Sequence, residues 1–161
     1  MEKKYRIMFV CHGNICRSPM AELILRDMVE KQGRASEFLI ASSATSTEEI
    51  WGSRGNPIHP SAREELISNG VPFFEHYATL LTRSDYDKYD FFIGMDTANI
   101  RNMHRIFGGD AEKKVSKLLD YTSRGGDVSD PWYSRRFDIA FRDICDGCAA
   151  FLKALGKESK E

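Results

Sequence analysis

The chain of 161 residues is 42% apolar and 29% charged, a length and composition that suit one globular domain spanning residues 1–161 and burying roughly two thirds of its unfolded surface. Its formal net charge of -1 excludes the broad positive field of nucleic-acid binders and membrane-surface proteins, so any anion must be held by local geometry. Near the start, the apolar stretch from Ile7 to Cys11 is too short for a signal-peptide core or a membrane span, and the expected location is cytoplasmic.

Residues 5–10 are a short apolar run, predicted as a buried strand. Residues 11–18 follow, polar and glycine-containing. Pro19 is expected as the first residue of a helix with Ser18 as its N-cap. Ala21, Ile24, Leu25 and Met28 recur at helical spacing, which carries that helix to Gln32, where Gly33 stops it. Residues 38–42 read as a second strand, and a loop rich in Ser, Thr, Gly and Pro runs to Pro60. A helix is predicted over 61–69, an extended stretch over 75–80, a strand over 91–95 and a helix over 99–107. A last strand covers 115–119. A long amphipathic helix covers 135–155, with Phe137, Phe141, Ile144, Cys148, Phe151, Leu152 and Leu155 on its apolar face. Strands alternating with helices predict an α/β fold: a three-layer, doubly wound parallel sheet with helices on both faces. Ligands in such folds bind at the carboxyl ends of strands, where residues 11–18 lie.

That segment reads Cys11-His12-Gly13-Asn14-Ile15-Cys16-Arg17-Ser18. A loop between a strand and a helix can turn several N–H groups inward as an anion cradle. Gly13 and Asn14 tolerate the left-handed backbone that a cradle needs. A helix N-terminus favours both a phosphate dianion and the thiolate of Cys11, and thiolate is the nucleophile. Ser18 can add a hydroxyl hydrogen bond to the sulfur. Arg17 offers a planar fork for two phosphate oxygens, where lysine would supply only charge. Phosphoryl transfer to sulfur also needs a proton for the leaving oxygen. Asp130, stiffened by Pro131 and followed by Trp132 and Tyr133, is the first candidate, with Asp127 as a rival.

These residues resemble the low-molecular-weight protein tyrosine phosphatases. The likeness rests on Val10 to Glu22 and on Asp130-Pro131-Trp132-Tyr133. It is reinforced by Ile40 to Ala44, Gly70-Val71-Pro72 with His76, and Met95-Asp96 with Asn99. The resemblance implies a four-stranded parallel sheet and a two-step reaction through a cysteinyl-phosphate, with no metal and no organic cofactor. It assigns Cys11 as nucleophile, Arg17 as phosphate ligand and Asp130 as acid and then base. Asn14 would hold the loop in shape, helped by Ser42 and His76. His12 would line the pocket mouth, and Trp51, Trp132 and Tyr133 would wall an aromatic slot. Ile15 stands where related arginine phosphatases resemble a threonine, which favours phosphotyrosine. The implied partners are phosphotyrosine-containing proteins, with phosphate as product and inhibitor and the chain as a monomer or weak dimer.

Two rival classes are weaker. Arsenate reduction on this fold needs resolving cysteines in mid-chain, and none lies between Cys16 and Cys145. A zinc module would need closer spacing than Cys11 and Cys16 have. Cys145 and Cys148, three apart on a helix, read as core. Cys16 is expected either as a packed thiol or as a reversible disulfide partner shielding Cys11.

Overall fold

The computed structural model describes residues 3–158. In chain order the elements are β1 (Tyr5–Cys11), α1 (Arg17–Lys31), β2 (Phe38–Ala44), the short strands β3 (Ile50–Trp51) and β4 (Arg54–Gly55), α2 (Pro60–Ser68), β5 (Phe91–Gly94), α3 (Thr97–Phe107), β6 (Val115–Lys117), α4 (Pro131–Ser134) and α5 (Phe137–Glu158).

The alternation of side chains along β1 explains the layers. Ile7, Phe9 and Cys11 belong to one apolar cluster, and Met8 and Val10 to another. A strand apolar on both faces needs cover on both. On one side α1, α2 and α5 pack over Ile7, Phe9 and Ile93 with Met20, Leu66, Ile144 and Phe151. On the other, α3 brings Met103 and Phe107 onto Met8, Val10 and Phe92. The main sheet has the order β2-β1-β5-β6 and is parallel throughout, with Phe9 opposite Ser42 on one side and Ile93 on the other. The chain leaves β1 towards β2 and later returns to β1's other side as β5. The carboxyl end of β1 is therefore the topological switch point.

Several local expectations are corrected. Helix α1 starts at Arg17, not Pro19, and Cys16 occupies its N-cap with no side-chain cap bond. Ser18 lies inside the first turn because its hydroxyl is turned to Cys11 instead. The long C-terminal helix is continuous as expected but starts two residues later, and a short separate helix, α4, precedes it. Arg135 ends α4 in a left-handed conformation (φ 61°), and α5 begins at Phe137. The 75–80 stretch makes only isolated bridges, Pro57 to Tyr77 and Ala44 to Leu80. The last strand stops at Lys117 and becomes a 3-10 turn over Leu118–Tyr121. Cys148 is fully buried and Cys145 half-buried against the same core, as their spacing predicts.

Gly55 is required by close approach. A Cβ there would sit 1.9 Å from the carbonyl oxygen of Ala78 and 2.7 Å from its nitrogen. Backbone cannot yield as a side-chain tip does, so Gly55→Ala must push β4 away from residues 76–78. The expected cost is about 1–3 kcal/mol, or a Tm lower by roughly 2–12 °C. Differential scanning calorimetry reads it, and an unchanged Tm would show that the hairpin is free to shift.

Candidate active site

The site begins where β1 ends. Cys11 is the last residue of the strand and only 4% exposed. Its Sγ lies 3.0 Å from the Ser18 hydroxyl, and the Asn14 N–H donates to it at 3.3 Å. Both groups can donate to the sulfur. Asn14 takes the left-handed backbone (φ 60°) that turns its N–H inward.

The Asn14 side chain fixes the direction of the surrounding hydrogen bonds. Its Oδ1 accepts from the Thr79 N–H at 3.0 Å and from His76 Nε2 at 2.7 Å. Its Nδ2 donates to Ser18 Oγ at 2.8 Å and to Ser42 Oγ at 3.0 Å. Ser18 Oγ is thus an acceptor from Asn14, which leaves its proton for Cys11. Ser42 in turn donates to Glu22 Oε1 at 2.6 Å, and Glu22 pairs with Arg26 at 2.8 Å. Burial pushes the His76 imidazolium towards its neutral form, against the pull of Glu22. Neutral His76 carries its proton on Nε2, as the bond to Asn14 requires. Asn14, Ser42 and Glu22 are all buried, so a gap in this network would leave polar groups without partners.

Arg17 is 3% exposed, with its guanidinium spread between three groups. One nitrogen donates to Asp96 Oδ2 at 2.8 Å and to the Val128 carbonyl at 2.9 Å. The other faces Asp130 Oδ2 at 3.5 Å. Burial works against the charge, but Cys11, Asp96 and Asp130 outweigh it and hold Arg17 above its ordinary pKa. Asp96 is fixed in turn as the N-cap of α3, accepting from Asn99 N at 2.8 Å. Asp130 caps α4 through Trp132 N at 3.0 Å.

A cavity of about 340 Å³ brings together Cys11 to Arg17, Asp130, Trp132 and Tyr133. It thus unites the loop residues His12, Gly13, Asn14, Ile15 and Cys16 with Asp130, Trp132 and Tyr133 from far along the chain. Trp51 does not line it. That ring is 72% exposed on β3, and Glu48 and Glu49 form the facing wall instead. The Cγ of Glu49 packs over Gly13, and Glu48 pairs with His12 Nε2 at 2.9 Å. Asp127 does not line the cavity. Its hydrogen bond to Lys117 holds its carboxyl below the usual range. All four cysteines are free thiols. Burial, then the charge of Cys11, pushes the Cys16 thiol well up, so it stays protonated. Sequence reasoning missed the parts played by Glu22, Glu48, Glu49, Asp96 and the Val128 carbonyl. Asp96 alone had a local signal, an N-cap three residues before Asn99.

Residues 6–161 match the family model described as low molecular weight phosphotyrosine protein phosphatase. The chain is 35% identical over 156 residues to the low molecular weight protein-tyrosine-phosphatase YfkJ of Bacillus subtilis, covering 96% of this chain and 97% of that one. It is 36% identical over 160 residues to the low molecular weight phosphotyrosine protein phosphatase of Schizosaccharomyces pombe, covering 96% and 99%. The crystal structure of YfkJ superposes with a TM-score of 0.88 at 34% identity over 98% of each chain. On the strength of these matches, the chain belongs to the low molecular weight phosphotyrosine protein phosphatases.

Proposed function

We propose that this cysteine-dependent protein tyrosine phosphatase uses Cys11 as nucleophile, Arg17 as phosphate ligand and Asp130 as proton donor. The observation that carries the reading is their convergence in one cavity, with the sulfur already supported by Ser18 and Asn14. A phosphate dianion in the loop meets inward N–H groups at the start of α1 and the fork of Arg17. The incoming dianion competes with Asp130 for Arg17 and favours the protonated carboxyl. The Sγ–P bond forms as the P–O bond breaks, and Asp130 gives its proton to the phenol oxygen. Water then attacks phosphorus, Asp130 takes its proton, the S–P bond breaks and phosphate leaves. Equatorial oxygens gain charge in both steps, and Arg17 stabilises them.

The substrate reading follows from depth. Cys11 is nearly sealed, so the phosphate must arrive on a long, rigid carrier such as a phenyl ring between Trp132 and Tyr133 and the stem of Glu49. The substrates are phosphotyrosine-containing proteins, phosphate is product and inhibitor, and the protein works in the cytoplasm as a monomer or weak dimer. Among the described residues no helix is long and apolar enough to cross a membrane.

The test is phosphate release from matched phosphotyrosine, phosphoserine and phosphoarginine peptides in EDTA. Release from phosphotyrosine is expected to dominate, and a preference for phosphoarginine would overturn the role given to Ile15. Asp130→Asn is expected to lower kcat for phenyl phosphate by roughly 10²–10⁴. A near-normal rate would remove Asp130 from the acid role.

A further inference from the structure

We propose that His59 is a positioning residue for the acid-bearing segment: its ring braces Trp132 and Phe137 against the phosphate loop, and proton delivery by Asp130 depends on that brace. The inference rests on the reading of Asp130 as the acid.

His59 precedes α2 and contacts three elements. Its main-chain N–H donates to the Ile15 carbonyl at 2.8 Å, inside the phosphate loop. Its Nδ1 accepts from Ser61 N at 3.1 Å and so caps α2. Pro60 restricts His59 to the extended backbone it has, φ -54° and ψ 136°, which suits a cap. With backbone and Nδ1 both tied, the ring has one orientation. Phe137 stacks on it with centroids 5.2 Å apart, and Trp132 meets it edge-on at 6.0 Å. Phe137 also packs on Ile15, Cys16 and Ala78.

Asp130 lies between two anchors. On its N-terminal side the Val128 N–H donates to the Met95 carbonyl at 2.9 Å and the Val128 carbonyl accepts from Arg17 at 2.9 Å. On its C-terminal side is α4, four residues long and closed by the left-handed Arg135. A single turn has little stability of its own. The Asp130 carboxyl is tied to Trp132 N, so where the carboxyl sits follows where Trp132 sits. Trp132 is 56% exposed, and among the described residues its aromatic partner is His59. Pro131 is buried beside the acid, and the brace adds to it by holding Trp132, and with it the Asp130 carboxyl, at its place beside Arg17.

The ring and the cap can be separated. His59→Asn keeps a capping acceptor and removes the ring, whereas His59→Phe keeps a ring and removes the acceptor. Both are compared with wild type and Asp130→Asn on aryl phosphates from phenyl to 2,4-dinitrophenyl. Good leaving groups depart without a proton, so lost acid positioning shows as a leaving-group slope in kcat/KM, which a loss of fold would not produce. For His59→Asn, kcat/KM is expected to fall about tenfold more on phenyl than on 2,4-dinitrophenyl phosphate. Inorganic phosphate is expected to inhibit it as it does wild type. His59→Phe is expected to restore the flat profile with a Tm lower by a few degrees for the lost cap, of order 1 kcal/mol. A flat His59→Asn profile beside a steep Asp130→Asn profile would overturn the brace and leave the acid assignment standing. Equally steep slopes in both His59 variants would show that a ring at this position does not restore the acid's placement, and would overturn the brace too. A flat Asp130→Asn profile would remove the acid assignment, and the brace with it.

Discussion

Cys11→Ser is expected to abolish turnover while phosphate still binds. The substitution changes one atom at the end of β1 and leaves Arg17, the loop N–H groups and the start of α1 in place. A serine hydroxyl at neutral pH carries its proton. The Ser18 and Asn14 donors that stabilise a sulfur anion at 3.0 and 3.3 Å cannot remove that proton. Among the described residues no base is hydrogen-bonded to the position, since the Asn14 network points its donors towards it. The expected loss in kcat is on the order of 10⁴–10⁶, the scale seen when a covalent nucleophile is removed. Stopped-flow release of 4-nitrophenol measures turnover, and calorimetric titration with phosphate measures binding. Retained turnover would remove Cys11 from the chemistry. Lost phosphate binding would mean that the sulfur, not the loop, holds the anion.

Arg17→Lys is expected to lower kcat/KM by roughly 10²–10³, with kcat falling more than KM rises. The charge survives but the fork does not. Arg17 serves Asp96, the Val128 carbonyl and the Asp130 side of the cavity at once. A lysine ammonium reaches fewer of these in the same plane, so either a phosphate oxygen or a buried acceptor loses its donor. An acceptor left bare costs about 1–3 kcal/mol, so a lower Tm is expected beside the kinetic loss. Steady-state kinetics on 4-nitrophenyl phosphate with a thermal melt reads both. A wild-type kcat with only KM raised would show that Arg17 binds ground state and transition state alike.

The loop from Cys11 to Ser18 was legible because it is contiguous. Cysteine, glycine, asparagine and arginine within seven positions, after an apolar run and before helical spacing, leave little else for the segment to be. Helix α1 was misjudged at its start for a tertiary reason. Ser18 has the chemistry of a cap, but its hydroxyl meets Asn14 and Cys11. The continuous helix expected over 135–155 is present as α5 but starts at Phe137, because Arg135, a non-glycine in a left-handed conformation, closes α4 just before it. Trp51 was assigned to the pocket as an aromatic on a facing loop. The tight β3–β4 hairpin, with Gly52 at φ 63°, leaves that ring in solvent, and Glu49 packs on Gly13 instead.

By itself the sequence determined the parallel sheet, the order of its helices and the loop from Cys11 to Ser18 at the end of β1, because each depends on near neighbours in the chain or on alternation along a strand. The class of reaction came from the family resemblance of its motifs. Only the tertiary structure decided what surrounds that loop. The support of Asn14 by Ser42 and His76 came from the resemblance alone, but Arg17 meets Asp96 and Val128 across 79 and 111 residues, and Glu22 and Glu49 join the site with no expectation behind them. Polar groups buried in the fold must find partners wherever the packing brings them. The packing is set by apolar faces meeting across the sheet, which no local pattern of polar residues records.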